Sequence, residues 1–169
     1  MGKGDDPNRT AAALSFPAPD RDLFLRMLAD VADGQWPAAQ QAGAVTLSAQ
    51  GSAWLRIQSD GSRQAVTGKF LLFSDDPAAL FEFAYEHVTR RGFSSAKVSA
   101  KPSSMGTHCL CLYDISDKRA AQVQAAAGSL TFRGFKTDAD TRAGRYSEQH
   151  LASLSPQQRR RVQRRRAAS

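Results

Sequence analysis

The stretch KFLLFSDDPAALFEFAYEHVTRRGFSSAKVSAKPSSMGTHCLCLYDISDKRAAQVQAAAGSLTFRGFKT, residues 69–137, decides the fold. Lys69–Phe73 is short and apolar, as a strand requires, and Asp75 or Asp76 followed by Pro77 opens a helix. An aspartate accepts from the first backbone N–H groups of a helix, and the missing donor of proline costs nothing at the first helical position. Leu80, Phe83, Ala84 and Val88 then recur at helical spacing as far as about Arg91, with Gly92 as the stop. From Ser95 to Lys101 the period changes to two, putting Ala96, Val98 and Ala100 on one face and Lys97, Ser99 and Lys101 on the other. Pro102–Gly106 turns the chain and His108–Asp114 is a strongly apolar strand. Asp117 reads as the cap of a second helix with Ala120, Val123, Ala127 and Leu130 as its buried stripe, and Leu130–Thr137 is the closing strand. The order β-α-β-β-α-β is the split βαβ arrangement. The fold class is therefore α+β, a curved and mainly antiparallel sheet with helices packed on one face.

Upstream, Ala44–Ile57 alternates loosely through Val45, Leu47, Trp54, Leu55 and Ile57, and reads as two or three antiparallel strands extending that sheet. Asp60-Gly61 is a hairpin signal ahead of residues 65–73. Before these strands, Asp20 caps a short amphipathic helix running to Asp33, which buries Leu23, Phe24, Met27, Leu28 and Val31. Residues 1–19 are rich in small residues, proline and charge and read as a flexible arm, leaving 20–150 as a single domain and 151–169 as a basic tail.

The chain has 169 residues, enough for one sizeable core. Its net charge of +7 is concentrated: Arg159, Arg160, Arg161, Arg164, Arg165 and Arg166 supply six charges, which leaves a nearly neutral body. Any sequence-independent affinity for RNA or another polyanion is thus expected chiefly from the tail. No apolar run is long enough to span a membrane, and the N-terminus lacks the apolar core of a secretory signal. Cys109 and Cys111 share one face of a strand, where they are badly placed to bond to each other. They read as reduced core cysteines with blunted thiols, and they point to a cytoplasmic location.

His87, His108 and His150 are scattered, and alternation puts His108 opposite the two cysteines, so no metal site is expected. Phosphate loops and nucleophile elbows are missing, and no cofactor is implied. What remains is cationic. TFRGFKTDADTRAGRYS, residues 131–147, carries Arg133, Lys136, Arg142 and Arg145 among small residues, and guanidinium groups bind phosphate or carboxylate through two parallel donors. Because the helices cover one side of a split βαβ sheet, Lys69, Lys97 and Lys136 can converge on the other. Solvated surface lysines are the plain alternative. Asp138 and Asp140 read as local ion-pair partners of Arg142 and Arg145.

The segments GKFLLF (68–73), AKVSAKP (96–102), CLYDISD (111–117) and above all FKTDADTRAGRYS (135–147) resemble the phosphothreonine lyase domain family that includes the basophilic leukaemia expressed protein. The resemblance covers roughly residues 50–147. It implies a fold similar to the cap-binding translation initiation factor 4E, a curved antiparallel sheet backed by helices. It also implies phosphate elimination by a lysine base and a histidine acid, with basic residues holding the anion. Carried onto this chain, Lys97 is the candidate base and His108 the candidate acid. Lys69, Arg133, Lys136, Arg142 and Arg145 are then phosphate holders, joined by Tyr146. The family places the histidine two residues after a strand lysine, whereas Leu71 follows Lys69 here.

Three functions follow as expectations. The first is binding of a phosphorylated ligand, whether phosphopeptide, nucleotide or RNA end, on the open sheet face. The second is a carbon–oxygen lyase acting on phosphothreonine or phosphoserine, and the third a small assembly protein anchored by its tail. Trp36 and Trp54 are the only tryptophans available to stack on a base, although core packing is the commoner fate of such residues.

Overall fold

A computed structural model describes residues 17–51, 53–59, 65–142, 155–158, 160, 161 and 164. Helix α1 (Arg21–Ala32) begins where the Asp20 side chain accepts from Leu23 N at 3.1 Å, and it buries Leu23, Phe24, Met27, Leu28 and Val31. Strands β1 (Gln40–Ala42), β2 (Val45–Gln50) and β3 (Trp54–Ser59) follow, then β4 (Gly68–Ser74). Helix α2 (Pro77–Arg90) starts from the Asp76 carboxylate, which accepts from Ala78 N at 3.0 Å. Next come β5 (Ser95–Ser99), β6 (His108–Asp114), helix α3 (Ala120–Ala126), β7 (Thr131–Thr137) and the short helix α4 (Asp138–Arg142).

All seven strands form one sheet in the order β1-β2-β3-β5-β6-β4-β7, and every neighbouring pair is antiparallel. The last four strands have the split βαβ order, with β6 placed between β4 and β5. The first three strands form a meander that joins the β5 edge through β3. One parity of the strands β2 to β6 is buried against the helices, including Leu47, Leu55, Ile57, Phe70, Leu72, Val98, Leu110 and Leu112. The Phe24 and Phe81 rings stack at 4.4 Å and join α1 to α2, while Phe70 packs against Phe93, Phe132 and Phe135 beneath the other end. Phe135 also lies over Gly68, where an added Cβ would come within 2.6 Å of its ring, so that glycine is the residue that admits the aromatic side chain.

Two tethers fix the periphery. The Tyr85 hydroxyl donates to Pro17 O at 2.6 Å and accepts from Ala44 N at 2.8 Å, joining α2 to the β1–β2 turn and to the chain entering α1. At the far end Asp114, 3% exposed, receives two donors of Arg119. Arg119 also donates to Arg91 O at 2.7 Å and lies 3.7 Å from the centre of the Phe93 ring.

The sheet departs from sequence expectation in three places. Asp60-Gly61 lies outside the described residues, and the strands on either side of it do not form the expected hairpin, because β3 pairs with β2 and β5 while β4 pairs with β6 and β7. The strands that lie between β3 and β4, β5 and β6, come later in the chain. Asp117 accepts from Ala120 N through its backbone carbonyl, and Arg119 occupies the cap position of α3 without a side-chain bond. Within the expected N-terminal arm, Pro17 is held by Tyr85, and residues 1–16 lie outside the described residues. In the tail, Ser155 N donates to Gln158 Oε1 at 3.0 Å and Gln158 N to Ser155 Oγ at 3.2 Å. This is the reciprocal arrangement that starts a helix.

Candidate functional site

Alternation along the strands determines what the sheet turns away from its helices. On β3 and β5 these residues are Trp54, Arg56, Gln58, Ser95, Lys97 and Ser99, in register as Trp54↔Ser99, Arg56↔Lys97 and Gln58↔Ser95. On β6 and β4 they are Cys109, Cys111 and Tyr113 against Phe73, Leu71 and Lys69. Lys136 of β7 stands opposite Lys69. A bulge at Arg133-Gly134, with Gly134 at φ +88°, restores the alternation, and the Arg133 guanidinium lies 5.7 Å from the Phe73 ring centre. None of these side chains is acidic. Asp114, which follows Tyr113 on β6, has the opposite parity, and Asp138 and Asp140 belong to α4.

The face therefore carries two like-charged cross-strand pairs, Arg56↔Lys97 and Lys69↔Lys136, on either side of β6. Like charges directly opposite one another destabilise a sheet by roughly 0.2–1 kcal/mol. Arg56 adds a second cost, because its Nε is buried without a hydrogen-bond partner. Burial lowers the Lys97 pKa below its ordinary value, with Lys69 and Arg56 pushing the same way and Cys111 opposing. Burial raises that of Tyr113, with Cys111 and Asp138 adding to the effect.

The cysteines are free, as expected, and share this face, but their surroundings differ from an apolar strand interior. Cys109 donates its S–H to Cys111, which lowers the Cys111 pKa. Burial opposes that shift, and Lys69, Lys97 and Lys136 reinforce it. The thiol expected to be blunted is therefore the one the lysines favour as thiolate. Cys109, the donor of the pair, shifts upward.

Lys69, Lys97, Arg133 and Lys136 are thus brought to one face, and His108 is not. It has the parity of Leu110 and Leu112, on the helix side of the sheet, and its Nδ1 bonds Ser99 O at 2.8 Å. Strand alternation separates this expected acid from the expected base. Arg142 ends α4, with its side chain outside the described residues, as are Arg145, Tyr146, Arg159, Arg165 and Arg166. Arg160, Arg161 and Arg164 are exposed. Trp36 is 67% exposed and so is no core residue, while Trp54 is half-buried with the Lys97 ammonium 4.1 Å from its ring centre. Arg56 escaped the sequence reading although Trp54-Leu55-Arg56-Ile57 carries the alternation that places it. Among the described residues, no three His, Cys, Asp or Glu side chains are grouped to hold a metal, and no helix is long and apolar enough to cross a membrane.

No family model, curated protein or solved structure matches this chain.

Proposed function

We propose that this protein binds a phosphorylated ligand on the open face of its sheet. The observation that carries the reading is the pair of like-charged couples, Arg56↔Lys97 and Lys69↔Lys136, facing each other across β6. A phosphate brought among Arg56, Lys97 and Lys69 accepts charge-assisted hydrogen bonds from them and offsets the repulsion between Arg56 and Lys97. Titration calorimetry with a phosphothreonine peptide and with pyrophosphate tests this reading. Saturable binding that weakens at least about tenfold in a Lys69→Gln/Lys97→Gln variant is expected from two lost charge-assisted contacts. Wild-type protein that takes up neither ligand would sink the proposal.

Elimination of phosphate is a second reading, favoured by the depressed pKa of Lys97, which suits a general base better than an ordinary lysine. Its expected acid, His108, lies on the other side of the sheet. Loss of phosphoric acid from a phosphothreonine peptide, followed by mass spectrometry and abolished by Lys97→Ala, is the required result. The exposed tail arginines Arg160, Arg161 and Arg164 would add a salt-sensitive contact to RNA or another polyanion.

A further inference from the structure

Three of the cations on the open face lie beside aromatic rings. Lys97 lies 4.1 Å from the Trp54 ring centre, Lys69 5.6 Å from that of Tyr113, and Arg133 5.7 Å from that of Phe73. All three rings stand on the side of the sheet away from the helices, on β3, β6 and β4. A phosphopeptide needs the cations alone; it has no use for a flat apolar surface beside each one. A single-stranded nucleic acid presents flat bases and phosphates in alternation, and stacking accepts any base because each has a π-face.

We infer that the phosphorylated ligand of this face is a single-stranded nucleic acid, whose bases stack on Trp54, Tyr113 and Phe73 while its phosphates are met by Lys97, Lys69 and Arg133. The inference rests on the reading of the face as an anion site and adds to it the chemistry between the anions. Trp54 and Phe73 fall in one row across the sheet, three strand spacings or about 14 Å apart, and Tyr113 stands four residues along β6 from that row, about 13 Å away. Each ring is thus far enough from the others to take a base of its own. In the unbound protein the cations occupy the rings by cation–π attraction. A strand that binds draws each ammonium or guanidinium onto phosphate and replaces it over the ring with a base. None of the described strand residues that turn to this face is acidic, while Asp138 at the start of α4 acts electrostatically on Tyr113.

The test uses the full chain carrying Trp36→Phe, which leaves Trp54 as the sole tryptophan. It is titrated with an oligouridylate of about ten nucleotides and with a base-free sugar-phosphate chain of the same length. Both polymers carry the same phosphates, so the arginine tail contributes equally to each and the ratio of affinities reports the rings. We expect the oligonucleotide to bind at least about tenfold more tightly and to quench Trp54 fluorescence, with no quenching by the base-free chain. Tyr113→Leu and Phe73→Leu should each narrow that ratio. Equal affinity for the two polymers without base-dependent quenching overturns the inference and leaves the anion site standing. A phosphothreonine peptide that competes more strongly than the oligonucleotide overturns it in favour of a peptide ligand. If neither polymer nor the peptide binds, the anion site falls as well. Should a leucine variant fail to fold, the Trp54 quenching measured without it still decides.

Discussion

Arg119 grips the buried carboxylate of Asp114 with two donors, Nε to Oδ2 at 3.0 Å and Nη2 to Oδ1 at 2.9 Å. Asp114 ends β6 and Arg119 precedes α3, so this fork, together with the bond to Arg91 O, joins the last turn of α2 to the sheet. Asp114→Ala leaves the half-buried guanidinium without its anion, and Arg119→Met leaves the buried carboxylate without its counter-charge, with only the Ile115 N–H to accept from. Each is expected to cost about 3–5 kcal/mol, whereas Arg119→Lys, which loses the fork and keeps the charge, should cost less. Urea denaturation of the three variants measures the order.

Tyr85→Phe removes the hydroxyl that bonds Pro17 O and Ala44 N and leaves the ring in place. A loss of about 1–3 kcal/mol is expected from the two groups left without a partner. Faster hydrogen exchange at Ala44 should accompany it. Gly43→Ala strikes the same joint from the other side, since its φ is +66° and the added methyl would collide with the Tyr85 hydroxyl.

Replacing Lys97 with glutamine relieves the repulsion from Arg56 and should stabilise the unliganded protein by about 0.2–1 kcal/mol. The same change should weaken phosphate or nucleic-acid binding. Opposite signs in thermal denaturation and in titration are the outcome that marks Lys97 as a functional rather than a structural residue. A loss of stability would show instead that its stacking on Trp54 outweighs the repulsion.

His87 introduces a pH dependence. It is 1% exposed, its Nδ1 is bonded to Phe83 O and its Nε2 has no hydrogen-bond partner. Burial lowers its pKa below 6.5, aided by Arg91 and Arg119 and opposed by the Phe83 carbonyl and Glu86. The unfolded chain therefore takes up the proton first as pH falls. Its contribution to stability is complete above about pH 6.5 and is lost as pH drops from there through the lowered folded value. Urea denaturation between neutral and mildly acidic pH should show that decline, and His87→Leu should flatten it.

Much of this was legible in the sequence, and the rest was hidden for identifiable reasons. Asp20 and Asp76 announced their helices because a cap is a local matter between a side chain and the next three residues. The alternation in 95–101 placed Lys97 on the open face for the same reason. Strand partners are not local: Asp60-Gly61 carries the turn chemistry of a hairpin, and only the later strands β5 and β6 displace β4 from β3. The lysines near Cys111 likewise come from three other strands, so a thiol that reads as inert in CLCLY stands among cations in the folded chain.

The pairing of β3 with β5 has a consequence for assembly. Among the described residues it is the only strand contact between the meander of residues 40–59 and the split βαβ unit of 68–137, and it joins positions about forty residues apart. Closing so long a loop is slow and entropically costly, and at the seam it also brings Arg56 against Lys97. A polyanion lying across β3, β5 and β6 would neutralise both sides of that junction together. The ligand would then act as a splint across the seam where the two parts of the sheet meet.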